Sequence, residues 1–517
     1  MSADQGIAIE SGYELLITAQ EAYPAFERAY LDARDDATMS FRIFDPFTKL
    51  HSPEARRIGD TWFDLIAYKL AQGVPLDITV TDFDPVAMPR MHRTSWESLR
   101  ALIAIGEVSG RADLLRARVA MHPSRVGFLL SLAFWPRSRK EISETIGRVN
   151  AEPEGERRRF YERTPFLRHY LKLEKGLLKL LPGAIPRLVP VIHHQKIAVF
   201  DRKVLYIGGL DLNDRRYDTW EHDQPADQTW HDMQLMVRGP EAGDAYTHIR
   251  EFQEVAAGKK KGSELPHLMR TLSQRRKREA VFLSPRFLFR EIEQAHRDEM
   301  SRAQRLVYLE SQFFRDTRLA RYFAGCARRN RALTLILLLP GAPDDVAFEN
   351  NSGGDARYGE YLQAKCVNIL RDAFGDRLTL VSPAQPRRGS ETGRALLYRA
   401  PIIYVHAKLS IFDDSVAIVS SANLNGRSLK WDTEAGVRVV DPATVRHFRE
   451  RCFGKWLGAD AGPEFFDPES AQRAWRERAR DNARRDPEDR TGFLLPYASR
   501  PARRFGRNLP GIPEEMV

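Results

Sequence analysis

The stretch His194-Gln195-Lys196-Ile197-Ala198-Val199-Phe200-Asp201 returns later in the chain as His406-Ala407-Lys408-Leu409-Ser410-Ile411-Phe412-Asp413. Both copies read His, one residue, Lys, four residues, Asp. One such match is a weak signal. Each copy, however, also continues alike: an apolar run, Val204 to Ile207 or Val416 to Val419, leads into a small pair, Gly208-Gly209 or Ser420-Ser421. Two half-sites of one kind imply an internal duplication and one shared site.

In a strand alternate side chains share a face, so His194 and Lys196 point together, as do His406 and Lys408. Ile197 and Val199, or Leu409 and Ile411, take the other face, which suits a buried sheet. If the chain turns back after Asp201 or Asp413, the small pair returns close to the Lys. Backbone N–H groups at Gly209 and Ser421 can then approach an anion, and the geometry asks for a phosphate. Two imidazoles and two ammonium groups suffice for a two-step displacement with no metal and no other cofactor. One neutral His attacks phosphorus to form a phosphohistidine; the other, protonated, gives its proton to the departing alcohol and later activates water. Lys196 and Lys408 hold the equatorial oxygens.

The two histidines must stand in opposite protonation states, which neighbouring carboxylates can set. The candidates are Asp232, in Trp230-His231-Asp232, and Glu434, in Trp431-Asp432-Thr433-Glu434. Asp201 and Asp413 complete the catalytic motifs at the far ends of their strands. Their expected task is fixing the turn or pairing a buried base, not proton transfer. His193 and His222 read as satisfied structural residues.

The remaining chain gives the setting. At 517 residues it is long enough for two or more domain-sized units. Its 80 Lys and Arg against 70 Asp and Glu leave a net charge of +10, which favours an anionic partner such as a phospholipid surface or a nucleic acid. The three cysteines, Cys326, Cys366 and Cys452, have neither zinc nor disulfide spacing and are expected as buried thiols. Met1 to Leu16 shows no secretory pattern, and no stretch reaches the length of apolar residues that a membrane helix needs. The expected location is cytoplasmic or peripheral to a membrane.

Periodicity predicts a helix over 20–35, a strand over 39–44, a helix over 61–72 and a strand over 76–80. The same order recurs as helix 287–304, strand 306–309, helix 319–329 and strand 332–338. Each half closes on a helix opening at proline, 240–257 and 442–457. The expected fold class is therefore α/β. The first half is placed at 1–257 with an insert at about 85–190. A basic linker follows at 258–279, holding Lys259-Lys260-Lys261 and Arg275-Arg276-Lys277-Arg278. The second half is placed at 280–458, and a charged helix and tail at 459–517. Within the insert, Val126 to Trp135 is largely apolar, and the lysines of Leu171 to Leu181 suggest a basic amphipathic helix, either packed or laid on an anionic membrane. The loop Asn350 to Asp355 has the residue types of a turn that could overhang the site.

The duplicated HxKxxxxD pattern resembles the hallmark of the phospholipase D superfamily. The likeness to the phospholipase D enzymes themselves extends through Gly208-Gly209-Leu210-Asp211-Leu212 with Arg216 and Asp218, and through Trp230-His231-Asp232. In the second half it includes Tyr308-Leu309-Glu310-Ser311-Gln312-Phe313-Phe314 and Ser421-Ala422-Asn423-Leu424-Asn425-Gly426-Arg427-Ser428-Leu429. The resemblance implies two α/β/α sandwich halves related by a pseudo-twofold axis, an active site at their interface and no required metal. By the same analogy His194 is the nucleophile and His406 the general acid, although the symmetry of the motifs leaves the opposite assignment open. Asn423 would help bind phosphate, and Asp211 is its altered counterpart. Ser420 stands where a glycine is usual.

Three activities fit these residues. The first is a phospholipase D releasing phosphatidic acid and a head-group alcohol, with transphosphatidylation to another alcohol, working at a phospholipid membrane surface with no obligate nucleic acid. The second is a phosphatidyltransferase of the cardiolipin synthase kind. The third is a nuclease, favoured by the basic charge but without an evident base-stacking platform.

Overall fold

A computed structural model describes residues 12–277 and 281–517; Arg278 of the basic run, and most of the N-terminal stretch read for a signal, lie outside the described residues. Strands β1 (Tyr13–Ile17), β2 (Ala37–Phe41), β3 (Leu76–Thr81) and β4 (Leu115–Ala120) come first, then a separate hairpin of β5 (Leu171–Glu174) and β6 (Leu177–Leu180), then β7 (Lys196–Phe200), β8 (Val204–Gly208) and β9 (Met233–Val237). The second half supplies β10 (Met269–Gln274), β11 (Arg286–Arg290), β12 (Leu306–Ser311), β13 (Thr334–Leu338) and β14 (Leu378–Pro383). After a small pair, β15 (Leu396–Leu397) and β16 (Ala400–Pro401), come β17 (Lys408–Phe412), β18 (Val416–Ser420), β19 (Glu434–Val439) and β20 (Leu494–Pro496).

The two sheets share one strand order. The first runs β1-β9-β8-β7-β2-β3-β4, and the second runs β10-β19-β18-β17-β12-β13-β14 with β11 and β20 added at its edges. In both, the motif strand pairs antiparallel with the strand before the crossover helix and with the strand after the motif turn. The duplication is thus a repeat of topology, and each half is an α/β/α unit.

Period-two alternation builds the layers. Ile197, Val199, Leu205 and Ile207 of the first sheet join Leu409, Ile411, Ala417 and Val419 of the second in one core that also takes Ala245 and Ile249 from helix Glu241–Ala256 and Val445, Phe448 and Trp456 from helix Pro442–Leu457. The opposite faces, Ala198, Phe200 and Tyr206, or Phe412 and Ile418, pack under the outer helices of their own half. The largest core therefore lies between the halves and belongs to both.

Three stretches differ from expectation. Residues 258–279, read as a linker, contain β10, which stands in the second sheet where β1 stands in the first; basic runs on either side hid a six-residue strand. Residues 287–290, read as the start of a helix, belong to edge strand β11 on β10, and the helix begins at Glu291. Leu171 to Leu181 is a hairpin and not a helix. Leu171 and Leu180 face each other across it, and Lys175 (φ 50°) and Gly176 (φ 73°) make a two-residue turn with both φ positive, the primed type that suits paired strands.

The insert also gives β4 to the first sheet and carries helices Pro89–Val108, Phe128–Asn150 and Glu154–Arg163. Beyond residue 459 the chain packs: β20 pairs antiparallel with β14, and Glu514 accepts from the Thr317 hydroxyl at 2.7 Å. All three cysteines are buried and free. Among the described residues no helix is long and apolar enough to cross a membrane.

Candidate active site

Two reciprocal backbone crossings bring the motifs together. His194 N–H donates to Thr433 O (2.8 Å) and Thr433 N–H to Ile192 O (3.0 Å). In the mirrored crossing His406 N–H donates to His231 O (2.7 Å) and His231 N–H to Tyr404 O (2.8 Å). Each crossing sets a catalytic histidine beside the residue preceding a carboxylate of the other half. His194 Nδ1 consequently lies 3.0 Å from Glu434, and His406 Nδ1 lies 2.5 Å from Asp232. Asp232 and Glu434 do serve the two histidines, but each serves the histidine of the opposite half.

When ionised, a carboxylate at Nδ1 fixes the tautomer with the proton on Nδ1 and leaves Nε2 with its lone pair, the arrangement a nucleophilic imidazole needs. Burial, reinforced by Lys196 and Arg42, holds His194 well below the usual imidazole range. Burial and then Lys408 do the same for His406. Both rings are therefore neutral in the empty site. Burial also pushes Asp232 up to about 7 and Glu434 up to about 8, and lowers Lys408 to about 7 and Lys196 below its usual range. An entering anion would reverse the penalty on the cations, since it supplies the charge they lack.

The lysines lie close to their histidines. Lys196 Nζ is 3.3 Å from both ring nitrogens of His194 and donates to the His194 carbonyl at 2.6 Å. Lys408 Nζ is 2.8 Å from His406 Nδ1 and donates to the His406 carbonyl.

Gly209 and Ser421 play a different part from the expected phosphate cradle. Their backbone N–H groups are used in the sheet, donating to Met233 O (3.0 Å) and Ala435 O (2.9 Å). A Cβ on Gly209 would come within 2.0 Å of Asp232 Oδ1, so the glycine makes room for the carboxylate. Ser421 Oγ donates to Glu434 Oε2 at 2.5 Å. Both residues position the carboxylates. The Gly208 and Ser420 difference is compensated across the ladder: Gly208 faces Gln234, whereas Ser420 faces Gly436.

Asn423 is 5% exposed, and its Oδ1 has no hydrogen-bond partner among the described residues. Its counterpart Asp211 is occupied, accepting from Arg42 Nη1 (3.2 Å) and Ile43 N–H (2.9 Å). Asp201 and Asp413 stand outside the reacting set. Asp201 accepts the backbone N–H groups of Arg34, Asp35 and Asp36, and Asp413 those of Gln304, Arg305 and Leu306. Both sit in the left-handed region (φ 52° and 51°) and tie the motif turn to the loop before the neighbouring strand.

His193 and His222 are buried and partnered, on Thr433 Oγ1 (2.7 Å) and Asp218 (2.6 Å). His222 continues a buried chain through His231 (3.3 Å) to Glu310 (2.6 Å), beneath Asp232. The Asn350 to Asp355 loop is tied to Asp345 through Asn351 (2.6 Å), and the adjacent Asp344 accepts from Arg215 (3.3 Å), reaching across to the first half.

Sequence reasoning missed Arg42 and gave no role to Arg216 and Arg427, which it quoted only as part of the resemblance. Arg42 follows β2 as Gln312 follows β12, so aligning the two strands would have placed it at the site. Arg427 pairs with Asp432 at 2.8 Å. Arg216 lies 3.6 Å over the Trp230 ring, which also neighbours His406 at 4.6 Å between ring centres. Among the described residues no carboxylate hydrogen-bonds its guanidinium, and burial lowers it to about 10. Also among the described residues, no three His, Cys, Asp or Glu are grouped to hold a metal ion.

Comparison with known proteins finds partial similarities. Residues 297–456 match the family model described as "Cardiolipin synthase, PLD-like domain". Phospholipase D alpha 3 of Arabidopsis thaliana is 24% identical over 372 residues, covering 48% of this chain and 45% of that protein. Phospholipase D1 of Schizosaccharomyces pombe is 24% identical, covering 49% and 25%. The chain thus spans less than half the length of these relatives. Among solved structures, phosphatidylserine synthase of Haemophilus influenzae Rd KW20 superposes with a TM-score of 0.49 at 12% identity, covering 92% of this chain and 94% of that one. The two HxKxxxxD motifs converge across one seam, and the family match and the curated relatives support the phospholipase D superfamily as the group this chain resembles.

Proposed function

We propose that this protein is a phospholipase D that cleaves glycerophospholipids to phosphatidic acid and a head-group alcohol. The observation that carries the reading is the pair of neutral, buried histidines, each held at Nδ1 by a carboxylate of the other half, with a lysine beside each. The phosphodiester enters as an anion, and its charge lets His406 take up a proton at Nε2. His194 Nε2 attacks phosphorus, the bond to the head-group oxygen breaks, and that oxygen leaves with the His406 proton. Water then gives its proton to His406 Nε2 and attacks the phosphohistidine. The P–N bond breaks, phosphatidic acid leaves, and His406, no longer facing the anion, gives up its proton, so both rings return to the neutral state. Lys196, Lys408 and the Asn423 amide neutralise and orient the equatorial oxygens.

A second reading, transfer of the phosphatidyl group to an alcohol in place of water, is favoured by the cardiolipin synthase description of the family model over 297–456. The chemistry differs only in the acceptor of the second step. Product analysis on phosphatidylcholine and phosphatidylethanolamine vesicles, with and without ethanol or glycerol, tests both readings. Phosphatidic acid as the main product without added alcohol supports hydrolysis. A phosphatidylalcohol that dominates even at low alcohol supports transfer. No lipid product, with cleavage of DNA by the same preparation, would turn the assignment to a nuclease. His194→Ala is expected to abolish turnover without lowering the Tm by more than a few degrees; substantial residual hydrolysis would contradict the nucleophile assignment.

A further inference from the structure

The helix Phe128–Asn150 opens with Phe128-Leu129-Leu130-Ser131-Leu132, and its solvent face there is apolar: Phe128 is 49%, Leu129 55% and Leu132 41% exposed. Val281 (59%) and Phe282 (42%) stand beside it, because Gly127 N–H donates to the Phe282 carbonyl at 2.8 Å. Two segments distant in sequence thus build one open patch of large apolar side chains. Exposed apolar residues scattered singly need no explanation, but a contiguous group of this size marks a surface that becomes covered.

The border of the patch says by what. Arg137, Arg139 and Lys140 are exposed on the following turns of the helix, and Arg276 lies 4.2 Å over the Phe282 ring. Lys140 lies 3.8 Å from Glu144, so Arg137 and Arg139 carry most of the positive border on this side. An apolar tip followed by cations is the pattern of an interfacial helix, whose side chains enter the acyl boundary while the charges meet lipid phosphates. A second copy of the chain would bring the same cations against themselves. The patch is also tied to the catalytic strand. Val126 N–H donates to Leu188 O (2.8 Å), and six residues later the chain reaches His194, a span of at most about 20 Å.

We propose that this face seats the protein on an anionic phospholipid surface, with Phe128, Leu129, Leu132 and Phe282 inserted and Arg137 and Arg139 at the level of the phosphates. The proposal rests on the lipid substrate of the reading above, and the experiment separates the two. Binding of the full chain to sedimenting phosphatidylcholine vesicles, with and without phosphatidylglycerol, is compared for the parent and the triple variant Phe128→Ser, Leu129→Ser, Leu132→Ser. Turnover of a monomeric short-chain phosphatidylcholine is followed in parallel.

The expected result is vesicle binding that requires phosphatidylglycerol, weakens with salt, and falls about tenfold or more in the variant with short-chain turnover unchanged. Should the variant fold poorly, Leu129→Cys carrying an environment-sensitive fluorophore decides instead: a blue shift with anionic vesicles is expected, and no response overturns the proposal. Parent-level binding by a folded triple variant also overturns it, as does a parent dimer that the variant converts to monomer. Vesicle binding by a parent that hydrolyses no lipid sinks the functional reading and leaves the docking face; short-chain hydrolysis without vesicle binding does the reverse.

Discussion

At the scale of single residues, the carboxylates Glu434 and Asp232 are the most informative positions. Burial raises Glu434 to about 8 from an unfolded value near 4.5, so the folded protein holds a proton there that the unfolded chain releases. Between those values the folded state binds more protons, and stability contributed by this group falls as pH rises. Replacing Glu434 with Gln removes that loss. The Tm of Glu434→Gln relative to the parent is therefore expected to climb between pH 5 and pH 8 in thermal melts, while its turnover drops about a hundredfold because His194 loses its orienting partner. A pH-independent Tm difference would show that the carboxylate ionises freely.

Gly209 makes a second test at this scale. A Cβ there would lie 2.0 Å from Asp232 Oδ1, so Gly209→Ala must push the carboxylate away from His406. Loss of most activity with little change in far-UV circular dichroism is the expected outcome; near-normal kcat would mean that Asp232 can orient His406 from elsewhere. The histidines and lysines were legible because the motif fixes them by spacing. The exchange of carboxylates was not, because a sequence shows which acids are near in the chain and not which half they face.

Among the elements, the motif turns matter most for stability. Asp201 and Asp413 each gather three backbone N–H groups of the loop that precedes a neighbouring strand. For Asp201, burial opposes ionisation, but those three donors outweigh it and keep the carboxyl below its usual range. Asp201→Ala should lower stability by about 2 kcal/mol, read from the denaturant midpoint, and leave kcat within a few-fold. A large kcat loss at unchanged stability would return Asp201 to the chemistry. Strands β2, β3, β12 and β13 and the motif hairpins announced themselves by apolar runs, whereas β9, β14 and β19, also inside the sheets, were not anticipated. Strand β10 and the edge strand β11 did not announce themselves either, since basic runs flank the first and exposure blurs the alternation of the second. The β5–β6 hairpin was hidden by its lysines, which invite a helical reading until Lys175-Gly176 is taken as a turn.

At the scale of the whole molecule, the duplication extends beyond the motifs to the full strand order of both sheets. The shared core and the crossed carboxylates make the halves interdependent: residues from both line the same hydrophobic layer, and neither histidine is complete alone. Expressed separately, the segments 12–257 and 258–517 should each be inactive and poorly soluble, as size-exclusion chromatography and lipid assays would show. Activity in either segment alone would contradict a site built at the seam. This interdependence was implied by the two motifs, but the position of the seam needed the fold, because β10 had been hidden in the supposed linker.

The crossed backbone bridges at Thr433 and His231 give the seam a further property. They run through the same residues that aim the imidazoles, so hinge motion there cannot be silent. During gradual heating or denaturant titration, turnover should vanish before the loss of helix and strand signal, or together with it, and never after; the catalytic rate is thereby a local strain gauge for the contact between the two sheets.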